Sequence, residues 1–415
     1  MTSRWCETEL GNVARVSTGP FGSLLHKSDY ARHGIPLVNP INIRDGCIVA
    51  DPEKLLSQET ARRLSAYILQ EGDVIVGRRG EIGRCAVISD RESGWLCGTG
   101  SFFVRPSSSV HSYFLAYLLR SSSYRKKLES SSTGATMSNL SNHALSSLAI
   151  PVPPVEEQRR IVAILDEAFE GIDTAVANTK TNFGNAQRLL SEIRAAEFEA
   201  LAKNASSVPL GSICEFENGD RGKNYPGKEH RVDSGIPFIN AGHLTEEGID
   251  HSSMDFISPD RFDLLGNGKI KPGDILFCLR GSLGKFSSVG SLAQGAIASS
   301  LIILRPKAQL SHDYLLAYLA GDLCAGMIEK FRGGAAQPNL GAKDLSKFEL
   351  PLPSIEEQER VTKRLQQVGL EVKRLRAIYQ RKLSALDELK QATLHKAFAG
   401  ELTAQAAQVV QEAAE

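Results

Sequence analysis

The chain has no long apolar segment. None of its apolar runs approaches the roughly 20 residues that a membrane-spanning helix requires. The amino terminus, MTSRWCETEL, contains no apolar core of the kind that a signal peptide needs. These two absences predict a soluble cytoplasmic protein that makes no contact with a membrane.

Cysteine is sparse and scattered. The count is odd and no two cysteines lie at C-x2-C spacing, so we expect neither a disulfide framework nor a metal site of the zinc type. Free cysteines of this kind fit a reducing compartment. The seven are Cys6, Cys47, Cys85, Cys97, Cys214, Cys278 and Cys324.

Neither sign of charge is in excess. The 48 basic residues balance 48 acidic ones, so the net charge argues neither for nor against nucleic acid. Residues 1–150 hold 17 basic and 13 acidic side chains, whereas residues 206–354 hold 15 and 17. A DNA-binding surface in the second segment therefore requires a local cluster of cations, for example in DRGKNYPGK (220–228), and phosphate contacts from neighbouring subunits.

The sequence lacks the common catalytic motifs. It has no phosphate-binding G-x-x-x-x-G-K-[ST] loop, no G-x-S-x-G and no H-E-x-x-H. NPIN (39–42) is the nearest string to the Asn/Asp-Pro-Pro-aromatic motif of amino methyltransferases, and it lacks the second proline and the aromatic residue. We therefore predict a chain without catalytic activity or a cofactor of its own.

Two pairs of polar residues are candidates for catalytic groups. His111 and His312 stand at matching positions, each two residues before a tyrosine that opens a helix, and this placement favours capping or packing over catalysis. Asp73 and Asp274 follow a glycine and precede a strand, which is typical of turn-forming carboxylates.

What the chain does contain is an internal repeat with an offset of 200 or 201 residues. Five blocks recur in the same order, which indicates a duplicated structural unit. The matched blocks are residues 7–19 and 207–219, 33–43 and 234–244, 71–88 and 272–289, 101–118 and 300–319, and 148–165 and 348–365.

Each half begins with about 150 residues of short β-rich runs and short helices and ends in a long helix. PVPP (151–154) and PLPS (351–354) stop the preceding chain, and EEQ then places acids in the first helical turn. Apolar residues recur every three or four positions over about 45 residues, which at 1.5 Å per residue is roughly 70 Å. Such a one-sided helix needs a partner, and its own copy is the obvious one.

These patterns predict an α/β protein in which two similar globular domains are separated by two long coiled-coil helices. We expect the helices to pair antiparallel, with the globular domains at opposite ends and related by a pseudo-twofold axis. The predicted segments are a first globular domain at 1–150, a first helix at 151–204, a second globular domain at 205–350, a second helix at 351–402 and a tail at 403–415.

Two glycine-rich turns carry cations at matching positions. RRGEIGR (78–84) and LRGSLGK (279–285) each lie between two β-like runs, and glycine allows a backbone to approach a partner closely. The shared Arg-Gly centre favours a structural role for the turn itself. The outer cations Arg78, Arg84 and Lys285 are candidates for DNA contact.

Taken together, these features resemble the specificity (S) subunit of type I restriction-modification systems. The resemblance covers essentially the whole chain, and the duplicated order of the motifs carries it. The motifs are L-G-x-V at 10–13 and L-G-x-I at 210–213, G-D-x-[IL] at 72–75 and 273–276, and EEQ at 156–158 and 356–358.

The resemblance implies a non-catalytic chain with two target recognition domains, each reading one half of a bipartite sequence in double-stranded DNA. It implies that the helices set the gap between the half-sites and dock two methyltransferase (M) subunits, which bind S-adenosylmethionine and methylate adenine at N6. Restriction (R) subunits would complete an ATP-dependent endonuclease, so S-adenosylmethionine, ATP and Mg would be held by the partner subunits.

The halves differ most in loops 18–30 and 218–230 and in 40–46 and 241–248, so we predict an asymmetric target. Loop residues able to bond bases or phosphates are the candidate DNA contacts. They are Ser23, Lys27, Asn42, Arg44, Arg78, Arg79 and Arg84 in the first domain, and Arg221, Lys223, Asn224, Tyr225, His243, Arg280 and Lys285 in the second.

Two alternatives stay open on sequence alone. A scaffold that joins two protein partners and never meets DNA is compatible with the balanced charge. The recognition subunit of a related restriction-modification or modification-only complex is compatible with all of the motifs.

Overall fold

The structure, a computed structural model, describes residues 5–21, 24–132, 139–334 and 338–402. The predicted tail at 403–415 and the candidate residue Ser23 lie outside these ranges.

The first globular domain is built from short strands and helices that end in a long helix. Its strands are β1 Cys6–Glu9, β2 Ala14–Thr18, β3 Tyr30–Ala31, β4 Ile35–Val38, β5 Ile43–Arg44, β6 Cys47–Ile48, β7 Leu55–Leu56, β8 Val74–Gly77, β9 Cys85–Val87, β10 Leu96–Cys97, β11 Ser101–Pro106 and β12 Ala149–Val152. Its helices are α1 Leu10–Val13, α2 Gln58–Arg63, α3 Ser112–Arg120, α4 Ser122–Ser130 and α5 Asn142–Ser146, and the long helix is α6 Val155–Asn204.

The second globular domain repeats this order of elements. Its strands are β13 Ser207–Pro209, β14 Cys214–Asn218, β15 Arg231–Val232, β16 Ile236–Ile239, β17 Leu244–Thr245, β18 Gly248–Ile249, β19 Asp255–Ile257, β20 Ile275–Cys278, β21 Phe286–Ser288, β22 Ala296–Ile297, β23 Leu301–Pro306 and β24 Glu349–Pro351. Its helices are α7 Leu210–Ile213, α8 Pro259–Asp263, α9 His312–Leu319, α10 Asp322–Phe331 and α11 Ala342–Leu345, and the long helix is α12 Ile355–Phe398.

Sheet topology is the same in both domains. An antiparallel sheet has the order β2-β11-β8-β9 in the first and β14-β23-β20-β21 in the second. A mixed sheet has the order β3-β7-β4-β10 and β15-β19-β16-β22, with one parallel pair in each. The predicted duplication of an α/β domain is therefore confirmed.

The central strands β8 and β20 explain why the matched blocks are so apolar. Every residue of VIVG in β8 and of ILFC in β20 is buried, because side chains on both faces of the strand enter the core. Strands β11 and β23 pair with them and bury four consecutive residues each. Framework runs therefore match between the halves because they fill equivalent cores.

The long helices begin after the proline segments, as predicted, and contain 50 and 44 residues. The predicted boundary at 151 is displaced, however. Residues 149–152 form strand β12, in which Pro151 pairs with Glu7 of β1, so the helix begins only at Val155.

The chain divides into two compact units, Met1–Thr179 with Arg381–Glu415 and Lys180–Gln380. Each unit therefore contains one globular domain and a segment of both long helices. In the first unit, Asp173 Oδ1 accepts a hydrogen bond from Lys390 Nζ at 2.9 Å.

The second unit shows the direction of helix pairing. Arg376 lies over the ring of Phe183 at 5.6 Å, and Glu197 pairs with Arg364, so residue numbers rise along α6 as they fall along α12. The two helical segments of this unit are antiparallel, as the sequence predicted.

All seven cysteines are free thiols, of which Cys6 and Cys47 are exposed. Within the described ranges, no group of three or more His, Cys, Asp or Glu side chains is arranged to hold a metal ion. None of the described helices combines the length and the apolar character that crossing a membrane would need.

Candidate nucleic-acid interface

Three loops of the first globular domain meet around a cleft of about 350 Å³. The loop after β4, the glycine-rich turn between β8 and β9, and the turn between β10 and β11 all contribute. The residues that line the cleft are Asn39, Pro40, Ile41, Arg79, Gly80, Glu81, Arg84 and Gly100. Two of the predicted DNA contacts, Arg79 and Arg84, are thereby brought together.

The glycine-rich turns have the same backbone in both domains. Gly80 and Gly83 have φ angles of 72° and 81°, and Gly281 and Gly284 have 79° and 83°. Side chains are strained in this left-handed region, so only glycine forms the turn easily. The Arg-Gly centre of each turn therefore has a structural role, because its glycine adopts a positive φ angle.

The cations beside these turns differ in whether their side chains are bonded to other parts of the domain. Arg79 and Arg280 are exposed and sit at equivalent positions, each bridged through its backbone to an asparagine. Arg84 pairs with Glu81 of its own turn. Lys285 Nζ donates to the carbonyl of Ala241 at 3.0 Å and so ties the turn to the loop after β16.

Asn42 and His243 occupy equivalent buried positions, with exposures of 4% and 3%. Asn42 Oδ1 accepts from the N–H of Asn39, and its Nδ2 donates to the carbonyl of Val49, both at 2.9 Å. His243 Nδ1 accepts from the N–H of Asn240 at 3.1 Å, and its Nε2 donates to Ser253 at 3.0 Å.

These bonds occupy the polar atoms of both residues within their own loops, and the DNA contact predicted for Asn42 and His243 stays a prediction. The polar atoms of Asn42 and His243 hold the loops after β4 and β16 in shape, and buried hydrogen bonds of this kind are costly to break. The loop is thus positioned by a different side chain in each domain.

Arg78 also points inward. Its guanidinium lies 4.6 Å from the ring centroid of Phe21 and its Nε donates to Asn139 Oδ1 at 3.2 Å. Burial and the neighbouring charge of Arg79 lower the pKa of Arg78. Its equivalent in the second domain is Leu279, which is likewise buried. The structure thus places Arg78 in the packing between loops and not on the surface.

In the second domain, the loop before β15 lies beside the turn between β22 and β23. Arg221 is exposed and its Nη2 donates to the carbonyl of Ser299 at 3.3 Å, while Lys223 is exposed. Asn224 Nδ2 donates to Leu264 at 2.8 Å, and the ring of Tyr225 packs edge-on to a core phenylalanine. Arg221 and Lys223 thus face solvent, whereas Asn224 and Tyr225 hold the loop.

In the first domain the remaining candidates lie on either side of β4. Lys27 begins the short helical turn Lys27–Asp29. Arg44 lies at the end of β5, is exposed, and its Nε donates to the carbonyl of Ile41 at 3.4 Å. The side chain of Arg44 thus reaches solvent.

Asp73 and Asp274 form the predicted turns, and their buried carboxylates also make ion pairs with partly exposed arginines, which the sequence did not predict. Asp73 Oδ2 accepts from the N–H of Gln70 at 2.8 Å, and its two oxygens accept from Arg105 at 2.7 and 2.8 Å. Asp274 pairs with Arg305 in the same way at 2.8 and 2.9 Å. The signal was present, because Arg-Pro at 105–106 and 305–306 belongs to a matched block.

His111 and His312 do not occupy matching positions, which corrects the sequence alignment by one residue. His111 precedes helix α3, and its backbone N–H donates to Gln158 Oε1; the equivalent bond to Gln358 is made by Ser311. His312 is the first residue of α9 and contacts Ser288 Oγ at 3.1 Å. Neither histidine side chain caps its helix.

The fold and the loop clusters define a protein with two similar binding domains, and comparison with known proteins identifies its family. The profile of the type I restriction modification DNA specificity domain matches residues 3–181 and 203–380. The chain belongs to this family. It is a type I specificity subunit with two target recognition domains, and specificity subunits carry no catalytic activity of their own.

Relatives named as type I specificity subunits align with this chain over most of their length. The EcoKI specificity subunit of Escherichia coli is 27% identical, covering 91% of this chain and 84% of that protein. The EcoBI specificity subunit of Escherichia coli is 23% identical, with coverage of 97% and 87%. The putative MjaX specificity subunit of Methanocaldococcus jannaschii is 24% identical, with coverage of 89% and 88%.

Two solved structures share the fold. A chain described in work on complex assembly and conformational transition of the type I restriction-modification system superposes with a TM-score of 0.75 at 23% identity, covering 96% of this chain and 98% of that chain. The HsdS subunit from Thermoanaerobacter tengcongensis superposes with a TM-score of 0.60 at 24% identity, covering 96% and 97%.

Proposed function

We propose that the chain reads an asymmetric bipartite sequence in double-stranded DNA, with one half-site for each recognition domain. The observation that supports this is a shared framework with different side chains at equivalent loop positions. Asn42 stands where the second domain has His243, and Arg78 where it has Leu279. Loops held by different side chains present different surfaces, so the two half-sites should differ in sequence.

The candidate contacts fall into two groups on the basis of exposure and bonding. Side chains that reach solvent are proposed to touch DNA directly, together with Ser23 and Lys27; the exposed or partly exposed ones are Arg44, Arg79, Arg84, Arg221, Lys223, Arg280 and Lys285. Side chains with internal bonds or packing are proposed to shape the loops; they are Asn42, Arg78, Asn224, Tyr225 and His243.

Sequencing of methylated adenines in a strain that carries the chain and its methyltransferase partner tests the proposed target. We expect one motif made of two different half-sites with a gap of constant length. A strain from which the gene of this chain is deleted is the control and should lose that motif. A palindromic motif would contradict the asymmetric reading.

We also propose that the chain acts in the cytoplasm as part of a larger complex. Two methyltransferase subunits with S-adenosylmethionine would methylate adenine at N6, and restriction subunits with ATP and Mg would add endonuclease activity. Family membership and the two long helices that follow the recognition domains support this assembly. Native mass spectrometry of the co-expressed complex tests it, and a complex that never takes up a restriction subunit would indicate a modification-only system.

A further inference from the structure

Helix α4 of the first recognition domain carries three consecutive cations that the second domain lacks. Arg125, Lys126 and Lys127 stand in α4, where Glu129 is the one acidic residue. The equivalent helix α10 has Ala325, Gly326 and Met327 at these positions and contains two acidic residues and one basic residue. The formal charge is therefore +2 on α4 and −1 on α10.

Two of the three cations of α4, Lys126 and Lys127, face solvent, and Arg125 is partly buried. Tyr124 and Leu128 turn inward, and the Tyr124 hydroxyl donates to the carbonyl of Ala149 at 3.2 Å. Lys126 and Lys127 are exposed, and Lys127 Nζ lies 4.3 Å from the centroid of the Tyr124 ring. Among the described residues no carboxylate forms an ion pair with Lys126 or Lys127, so both charges are available to an external anion.

The helix lies against the glycine-rich turn. A Cβ atom placed on Gly83 would lie 3.4 Å from Cγ of Arg125, so α4 and the turn are in direct contact. Nε of Arg125 is buried there and has no hydrogen-bond partner within the described ranges. The turn carries the exposed Arg79, and the cations of α4 therefore extend the cationic surface of the turn.

We propose that Arg125, Lys126 and Lys127, beside the turn that carries Arg79, bind the phosphodiester backbone of double-stranded DNA in the first recognition domain only. This inference rests on the proposed function. Lysine is a flexible point charge, so a run of this kind suits phosphates more than base edges. The first half-site would thus be held largely by electrostatics, whereas the second would depend more on base contacts and partner subunits.

The salt dependence of binding tests this difference. The full chain, purified with its methyltransferase partner, is titrated against a duplex that lacks the recognised sequence at KCl concentrations from about 50 to 200 mM. Each phosphate contact contributes about 0.9 to the slope of log K against log salt, so R125A/K126A/K127A should make the slope shallower by about 2 to 3. The methylated motif should be unchanged.

A matched control removes three cations from the equivalent region of the second domain. In K330A/R332A/K347A, Arg332 and Lys347 are already paired with Glu329 and Asp344, so the slope should change by less than about 1. If R125A/K126A/K127A fails to fold, K126Q/K127Q alters only exposed side chains and should still make the slope shallower by about 1 to 2.

The outcomes separate the two proposals. An α4 variant whose slope equals that of the native chain overturns the phosphate surface, and so does a variant that changes the methylated motif with no change in slope. A native complex that shows no binding to any duplex would instead contradict the proposed function itself.

Discussion

The backbone N–H of His111 donates a hydrogen bond to Oε1 of Gln158 at 2.7 Å, across 47 residues of chain. The Nε2 group of the same glutamine donates to the carbonyls of Ser109 and Pro153 at 2.9 and 2.8 Å. Gln358 repeats this arrangement in the second domain, and both glutamines are fully buried. The glutamine of EEQ therefore fastens the start of each long helix to its recognition domain.

Replacement of Gln158 by leucine should destabilise the protein by about 3 kcal/mol, because it leaves one N–H and two carbonyls without partners in a buried site. Denaturant unfolding of the full chain measures the effect. Glu156 of the same motif is exposed, so E156A should stay within about 0.5 kcal/mol of the native chain. Equal stability of Q158L and E156A would show that the glutamine bonds do not hold the junction.

The alternation of globular domains and long helices could be predicted from sequence because it depends on local patterns. Proline segments, first-turn acids and apolar spacing placed the starts of α6 and α12 within a few residues. The difference in residue number between equivalent positions of the two halves was harder to predict, because it changes along the chain. It is 201 between β8 and β20 but 200 between β11 and β23, and this change misaligned His111 with His312.

Glu197 and Arg364 join the two long helices inside the second unit. Glu197 is largely buried and pairs with Arg364, while Arg360 Nη2 lies 3.7 Å from its second oxygen. Replacement of Arg364 by alanine should cost about 2 kcal/mol, because the buried carboxylate keeps only the longer contact.

A double-mutant cycle with E197A and R364A measures the coupling between the two residues, and we expect it to exceed about 1 kcal/mol. The exposed pair Glu371–Arg374 lies on the same helix at 2.7 Å and serves as the control, with an expected coupling below about 0.5 kcal/mol. Equal coupling in both cycles would contradict a specific role for Glu197.

Glu217 should make the second recognition domain sensitive to acid. Burial by itself raises its pKa, but Arg305 and the backbone N–H groups of Gly268 and Lys269 outweigh burial and hold the pKa of Glu217 below its usual range. A carboxyl group with a lowered pKa stabilises the fold above its unfolded pKa, and the contribution is lost as the pH falls through the folded pKa.

The variant E217Q should therefore be less stable than the native chain by about 1 to 2 kcal/mol at pH 7, with the difference shrinking below about pH 4. Unfolding curves recorded from neutral to acid pH measure this. Glu215 lies exposed on the same strand, and E215Q should follow the native curve. A constant gap between E217Q and the native chain at all pH values would refute the ionic contribution.

The sequence could predict the set of polar loop residues but not which of them are exposed. A polar loop residue looks the same in sequence whether its side chain bonds to DNA or to a neighbouring carbonyl. Asn42 and His243 are bonded internally to residues 7 and 10 positions further along. The pair Asp73–Arg105 spans 32 residues, and no local pattern links its members. Only the fold distinguishes these side chains from exposed ones such as Arg44.

Arg79 and Arg280 offer a matched test of which domain reads which half-site. Both are exposed and both follow the central strand of their domain by two residues. If each contacts a base, R79A should relax one position of one half-site, and R280A one position of the other, at a cost of about 1 to 3 kcal/mol for the preferred base. Binding of duplexes with single substitutions across both half-sites measures this.

The control variant removes a cation that lies away from the recognition loops. Lys203 near the end of α6 is exposed and pairs with Glu199, so K203A should leave both half-sites unchanged. A uniform loss across all duplexes in R79A or R280A would assign that arginine to a phosphate. If R79A and R280A both changed the specificity at the same half-site, the assignment of one half-site to each domain would be contradicted. Each domain would then not be contacting a half-site of its own.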